Sequence, residues 1–331
     1  MKFKEVIGID VSKPTLDVCL HSLGSCLIID NTKIGYRKLI FWVDKQTSCT
    51  MEQVLFCFEH TGLYSSQLAR YLSEKQLNFI LVPGLEIKRS LGIQRGKNDE
   101  IDAKNIALYA FRRKSEIKPY QMPDKSITKL RQCLSLREKL VKQRGGYMAT
   151  FKEQSRFLNK SENKLLFSIP KKLIKQLNKY IKTIEQRLDL IIAENSEVKK
   201  NYNLITSITG IGKQTALHLI VITNNFLSFK NHRKLASYAG VAPFPYSSGI
   251  SIKGRTKVSN LANKKLKSLL SSCALSAIHN DPELGFYYNR RIEKGIHKMN
   301  TINVIRNKLL ARVFAVVKRG TPYVNTHAFA A

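Results

Sequence analysis

The chain has 331 residues, 43% of them apolar, which is enough for two or three domains with true cores and too much for a disordered tail protein. Lys and Arg number 56 against 24 Asp and Glu, a formal net charge of +32 that is spread along the whole length. Such a distribution suits an extended nucleic-acid surface, while core size argues against a ribosomal-type protein and the lack of one strongly amphipathic cationic helix against a membrane-surface one.

No apolar run reaches membrane-spanning length, and the first ten residues carry no apolar stretch of the signal-peptide kind, so neither a span nor a leader is expected. The six cysteines include no CxxC pair, which speaks against structural zinc. Cys19 and Cys57 lie in apolar runs and read as small core residues, a usage that fits a reducing cytoplasm.

In chain order, Val6–Ile9 is a short strand ending at Asp10, and Thr15–Leu20 is a second strand across a Lys13–Pro14 turn. Val54–Phe58 is a strand ending at Glu59. Thr61–Gly62 opens a helix running to about Ser73. Phe79–Val82 is a strand closed by Pro83–Gly84, and Asp99–Arg112 has helical spacing. This alternation predicts an α/β domain over about residues 1–120.

From about residue 121 to 200 strand signals vanish. Ile174, Leu177, Ile181, Ile184, Leu188 and Ile191 form a heptad seam, and Ile127–Leu158 is a second helical stretch with a possible break at Gly145–Gly146. Ser168–Ile169–Pro170 reads as a turn with proline opening the next helix. Two readings stand: an antiparallel hairpin packing on itself, or a dimerising coiled coil. Residues 201–322 read as mainly helical, ending in an amphipathic helix over about Thr301–Lys318, with a frayed tail at 323–331.

The candidate chemistry begins with four acids. Asp10 and Glu59 each end an apolar strand, and two adjacent strands can bring such carboxylates to one ion. Asp99 and Asp102 are three apart on one helix face, where like charges repel unless a cation intervenes, although Asn98 or Asp99 could simply cap that helix. Hard oxygen ligands suit Mg²⁺ or Mn²⁺, and a pair of ions would serve in-line displacement at phosphorus. His60 falls on the opposite side of its strand from Glu59 and reads as structural.

The segments Ile7–Lys13, Phe58–Gly62 and Lys97–Ala103 resemble the motifs of the DEDD transposases of bacterial insertion sequences, the one-ten family. The resemblance implies an RNase H/RuvC-like N-terminal domain whose four acids bind catalytic metal, here Asp10, Glu59, Asp99 and Asp102. Asn98 stands where many relatives carry Thr.

Further on, Thr209–Ala216 resembles a helix-hairpin-helix turn, in which N–H groups at a helix N-terminus, here beside Lys213, meet phosphate; an ordinary helix–helix turn fits the same residues. Gly240–Gly249 leads into Lys253, Arg255 and Lys257. Taken alone it is a solvated loop. It is also similar to the C-terminal domain of the same family, in which a serine is held to attack DNA and form a phosphoserine link. Ser248 matches that serine best, with Ser247 second. Lys264, Lys265, Arg290 and Arg291 extend the basic surface. Tyr287–Tyr288 among them could stack on bases or pack in the core.

Along almost the whole chain, the resemblance implies a transposase or recombinase that exchanges strands of double-stranded DNA under the guidance of a structured RNA. The helical segment would assemble a dimer or tetramer, in the bacterial cytoplasm at the nucleoid. Two competitors are a metal-dependent junction nuclease that uses water, and a non-catalytic nucleic-acid binder.

Overall fold

The computed structural model describes residues 3–90, 92, 98–249 and 252–325. It divides into two compact units, Met1–Met122 and Pro123–Ala331.

The first unit is a five-stranded mixed sheet clad by helices. In chain order it holds β1 Glu5–Val11, β2 Thr15–Leu20, β3 Cys26–Asp30, α1 Lys33–Gln46, β4 Val54–Glu59, α2 Leu63–Glu74, β5 Asn78–Val82, α3 Gly84–Ser90 and α4 Asp99–Arg113. The strand order is β3-β2-β1-β4-β5, antiparallel through β1 and parallel from β1 to β5. Ser12 tightens the β1–β2 turn, its hydroxyl accepting from the Thr15 N–H at 2.9 Å. The predicted strands and helices are all present. The sequence reading passed over β3, α1 and α3.

Strand parity then sorts the side chains. Ile7, Ile9, Val11, Leu16, Val18, Phe56 and Phe58 join a core that includes Tyr36 and Leu39 of α1 and Leu68 and Leu72 of α2. On the other face Val6, Leu55, Cys57, Ile80 and Val82 pack with Ile87 of α3 and Ile106 and Ala110 of α4. Asp10, Asp17 and Glu59 have the parity of this second face. Gly8 shares it, and α4 lies so close to Gly8 that a Cβ there would strike the Ala103 carbonyl and the Ala107 backbone.

The second unit is helical with one small ribbon: α5 Lys125–Phe157, α6 Lys164–Glu194, α7 Ser196–Thr206, α8 Lys213–Ile222, α9 His232–Tyr238, β6 Pro243–Ser248, β7 Ile252–Val258, α10 Lys264–Asn280, α11 Pro282–Glu293 and α12 Lys298–Arg319. Helices α5 and α6 pack on each other as a hairpin within the chain. All six seam residues are buried or half-buried, Arg137 meets Glu185 at 2.7 Å, and Phe151 meets Phe167 edge-on at 5.7 Å. The base of this hairpin (Ile127, Leu130, Leu134, Leu188, Ile191) shares one core with α7, α8, α10 and α12.

Three expectations need correction here. Helix α5 runs unbroken through Gly145–Gly146, because nothing there demands a bend and no neighbour crowds either glycine. Pro170 lies inside α6 rather than at its start; the helix already begins at Lys164, held by Phe167 against Phe151. The proposed loop around Ser248 is an antiparallel ribbon. Its prolines and serines imitate a loop, yet Pro243 opens an edge strand, and Pro245 falls at a register shift between Phe244 and Tyr246, where no ladder N–H is needed. The segment 323–331 is described only to residue 325. None of the described helices is long and apolar enough to cross a membrane.

Two glycine substitutions should have opposite signs. Gly8→Ala should destabilise by about 1–3 kcal/mol, because α4 must move off β1. Gly146→Ala, facing open space, should stabilise by about 0.5–1 kcal/mol. Denaturant melts of both variants check this, and a neutral Gly8→Ala would show that α4 is not held by close approach.

Candidate metal centre and nucleophile ribbon

Asp10 sits one residue before the end of β1, with Asp17 of β2 as its cross-strand partner. Asp99 is the first residue of α4 and Asp102 lies one turn further. Asn98 caps the helix, its side chain accepting from the Glu100 N–H at 3.2 Å, so neither aspartate is needed for that role. Acids in this first turn complement the helix dipole. Docking of α4 on Gly8 carries them to Asp10, and one oxygen each of Asp10, Asp99 and Asp102 lies within 4.8 Å of the others.

The crowding shows in the proton affinity of Asp10 and Asp17. Burial first, then the charges of Asp102 and Asp99, push the Asp10 carboxyl up to about 6, partly offset by the Val11 N–H donating at 3.0 Å. Asp17, only 9% exposed, is raised by burial and then by Asp99 and Glu100. Lys104 is engaged with Glu100 at 2.7 Å. In a chain of net charge +32, concentrated negative charge of this kind fits a bound cation of the hard-oxygen class.

Glu59 stands outside the group of three. It ends β4 on the same sheet face, but its carboxylate rests against Gly84 at the start of α3, where a Cβ would displace it. His60 lies just beyond the strand and is exposed. Lys97 of the third motif lies outside the described residues.

Asp17 was missed by the sequence reading. Its signal was present: a tight turn centred on Lys13–Pro14 pairs position 10 with 17. Cys19 is buried as expected, but it is also disulfide-bonded to Cys26, its cross-strand partner on β3. A search for CxxC spacing cannot find a pair made by a strand register. The Cys19 sulfur also lies 3.8 Å from the Glu100 carbonyl of α4.

The serine segment belongs to the second unit. Ser248 is the last residue of β6, paired with Ile252, and Ser247 is paired with Lys253. Gly249 follows with φ +55°, a left-handed turn position. Ile250 and Ser251 lie outside the described residues. Positions 253, 255 and 257 (Lys253, Arg255, Lys257) alternate along β7, and Lys257 is exposed. Exposed Phe244 and Tyr246 share the ribbon.

The ribbon is anchored from below. Asn303 and Asn307, one turn apart on α12, both donate to the Val241 carbonyl, at 2.7 and 2.9 Å, two residues before β6 begins. Sequence reasoning found neither, since nothing short-range links position 241 to 303.

The Thr209–Ala216 segment is a turn between α7 and α8. Gly210, at φ +92°, abuts Ala277 and the Cys273 carbonyl, and Lys213 begins α8, exposed. Lys264 is exposed at the start of α10, while Lys265 is tied to Glu138 at 2.9 Å. Arg290 and Arg291 lie on α11.

Comparison with known proteins matches this architecture to enzymes that rearrange DNA. Residues 7–154 match the DEDD transposase model of the IS110 type, described as Transposase, and residues 202–289 match Transposase IS116/IS110/IS902 family. The pilin gene-inverting proteins of Moraxella lacunata and Moraxella bovis are each 28% identical over 328 residues, covering 97% of this chain and 98% of theirs. An uncharacterised 43.6 kDa protein of insertion element IS110 from Streptomyces coelicolor is 32% identical over 120 residues, 36% of this chain and 29% of that protein. These matches define a DNA transposase or recombinase, with which the mixed sheet and its acid cluster are compatible. The chain belongs to the IS110 transposase family.

Two outcomes follow. The first concerns proton linkage. The Asp10 carboxyl has a higher proton affinity folded than unfolded, so it contributes stability that is complete below pH 3.8 and lost as pH rises through about 6. Metal-free protein should therefore gain stability from this group as pH falls from 7 to 4, and Asp10→Asn should flatten that trend. Melts across this range, with and without added Mg²⁺, check it; an unchanged slope in Asp10→Asn would remove the strained-carboxylate picture. The second concerns the anchor. Asn307→Leu should cost about 1 kcal/mol, because Asn303 still donates to the Val241 carbonyl, and the Asn303→Leu/Asn307→Leu pair should cost more than the sum of the single losses, because only the pair leaves that buried acceptor unmet, as denaturant melts of the three variants would show.

Proposed function

We propose that Asp10, Asp99 and Asp102, joined by Glu59 from the same sheet face, hold two Mg²⁺ or Mn²⁺ ions for phosphodiester chemistry on double-stranded DNA. The observation that carries this is three carboxylate oxygens gathered within 4.8 Å inside a chain of net charge +32. Ions there would supply charge stabilisation at phosphorus and at the attacking and leaving oxygens. Asp17 backs the group from the neighbouring strand.

Ser248 is the proposed nucleophile, with Ser247 as its substitute. Its hydroxyl oxygen forms a bond to a DNA phosphorus, the P–O bond to the departing strand breaks, and the hydroxyl proton leaves to a base. The departing strand's oxygen leaves with the bond electrons and takes up a proton to become a hydroxyl, and the phosphoserine link conserves the energy needed to rejoin a different strand end. Residues 1–120 form the RuvC/RNase H-like catalytic domain, 121–200 the assembling segment, and 201–322 the domain that presents the serine and the cations Lys213, Lys253, Arg255, Lys257 and Lys264.

A structured RNA is the proposed guide, and the bacterial cytoplasm at the nucleoid the proposed location. Assembly of a dimer or tetramer through the helical hairpin is supported by apolar side chains that the hairpin leaves exposed, among them Phe157, Leu165, Ile169 and Tyr180. The Moraxella relatives, which match over almost the full length, favour a second reading: inversion of a DNA segment, which uses the same strand exchange on two sites of one molecule.

The test is to trap the covalent complex on labelled DNA. Wild type and Ser247→Ala should form it and Ser248→Ala should not, while Asp10→Asn and Asp102→Asn should slow strand transfer by at least about a hundredfold with DNA binding retained. Free 5′-phosphate ends without an adduct would instead identify a nuclease that uses water. Full activity in Asp10→Asn would reduce the chain to a binder.

A further inference from the structure

Three cations converge on one ring at the α11–α12 junction. Arg290 and Arg291 hold their guanidinium carbons 5.9 and 5.6 Å from the centroid of Tyr287, and Lys308 of α12 brings its ammonium to 4.7 Å. Tyr287 itself packs against the core of the second unit, so the ring is a fixed post. An aromatic face attracts a cation by about 0.5–1 kcal/mol at an exposed site, but it carries no net charge and cannot neutralise three.

No carboxylate does so either. None of the three takes part in an ion pair among the described residues. Of the two acids on α11, Glu283 is held by Arg312 at 2.5 Å, and Glu293, in the same last turn as Arg290 and Arg291, forms no ion pair with either. Helix α12 contains no acid at all. Arg291 has a buried Nε with no hydrogen-bond partner, a donor that would cost about 1–3 kcal/mol to leave unmet. Two partly buried arginines of this unit are matched by acids, Arg312 by Asp281 and Glu283 and Arg137 by Glu185; Arg144 and Arg306 share an unmet buried Nε with Arg291, but neither is gathered with other cations on a ring. The Tyr287 cluster has the cations of such a site without its anion.

We infer that Arg290, Arg291 and Lys308, gathered on Tyr287, form a seat for a backbone phosphate of duplex DNA. Two planar forks and one point charge suit a phosphate oxygen set. With its face taken by cations, Tyr287 organises the seat rather than stacking on a base. The ligand class follows from the enzyme's substrate, so this inference rests on the DNA-binding reading. It adds Tyr287 and Lys308 to that reading and assigns the cluster a single task.

The experiment measures binding of the full chain to a short duplex of arbitrary sequence by fluorescence anisotropy, between about 50 and 200 mM salt, the range in which phosphate contacts dominate affinity. Each phosphate contact contributes about 0.9 to the slope of log K against log salt. Arg291→Ala/Lys308→Ala should lower that slope by about one and weaken binding about tenfold. Tyr287→Leu, which keeps every charge but removes the post, should weaken binding severalfold, and Tyr287→Phe should restore it. The surface pair Lys171→Ala/Lys172→Ala on α6 sets the effect of losing two charges anywhere.

A slope unchanged in Arg291→Ala/Lys308→Ala, or changed no more than in the α6 pair, overturns the seat while leaving DNA binding intact. A slope that falls for an RNA hairpin but not for the duplex overturns the DNA assignment. Wild-type binding that does not respond to salt would instead sink the DNA-binding reading itself. Thermal melts of each variant confirm the fold, and the exposed Arg290→Ala, expected to shift the slope in the same direction, serves if the double variant unfolds.

Discussion

The close approach of α4 to β1 at Gly8 decides where the chemistry can be. A helix normally stands off a sheet by the thickness of side chains. Here the Ala103 and Ala107 backbone occupies the space that any Cβ at position 8 would take. The first turn of α4 is thereby lowered to the end of β1, and short aspartates can reach Asp10. With a larger residue at position 8, Asp99 and Asp102 would part from Asp10 by the distance α4 had to retreat, while strand order stayed the same. Small residues at 103, 107 and 110 of α4 serve the same contact from the other side.

That geometry sets a local charge against the global one. The protein's cations draw polyphosphate to the surface generally, and such attraction does not distinguish one phosphodiester from another. The acid cluster works in the opposite sense. It repels an approaching phosphate unless a cation is interposed, so under the proposed function a bound cation would turn the cluster from a barrier to DNA into a receptor for it. The raised carboxyl of Asp10 belongs to the metal-free state and would be relieved by a bound cation. Asp17 sharpens the effect by adding a buried acid on the adjacent strand without joining the tight group.

What the sequence disclosed followed the range of its signals. Alternating apolar residues and strand-end acids located β1, β2, β4 and β5, because parity is a local property. The Asn98 cap and the run after it located α4. Glu59 shows the limit: its strand was legible, but its carboxylate rests against Gly84 at the start of α3, a contact made beyond the next strand. The disulfide of Cys19 with Cys26 depends on a register across β2 and β3, and β3 itself had been passed over. Pro170 misled because a proline rule describes isolated helices, whereas α6 is held through that point by its packing on α5. The ribbon around Ser248 misled for the reverse reason: a two-stranded sheet consists of edges, so it tolerates the prolines that usually announce a loop.

The ribbon also explains why a second anchoring device is needed at all. An isolated two-stranded hairpin is marginal in water, and this one exposes Phe244 and Tyr246 instead of burying them. Its own ladder therefore cannot hold the ribbon to one position. Precision must be imported from the helical core, and Asn303 and Asn307 import it by fixing Val241 immediately upstream. Past the ribbon's first strand Gly249 turns the chain at φ +55°, a conformation that glycine adopts without strain.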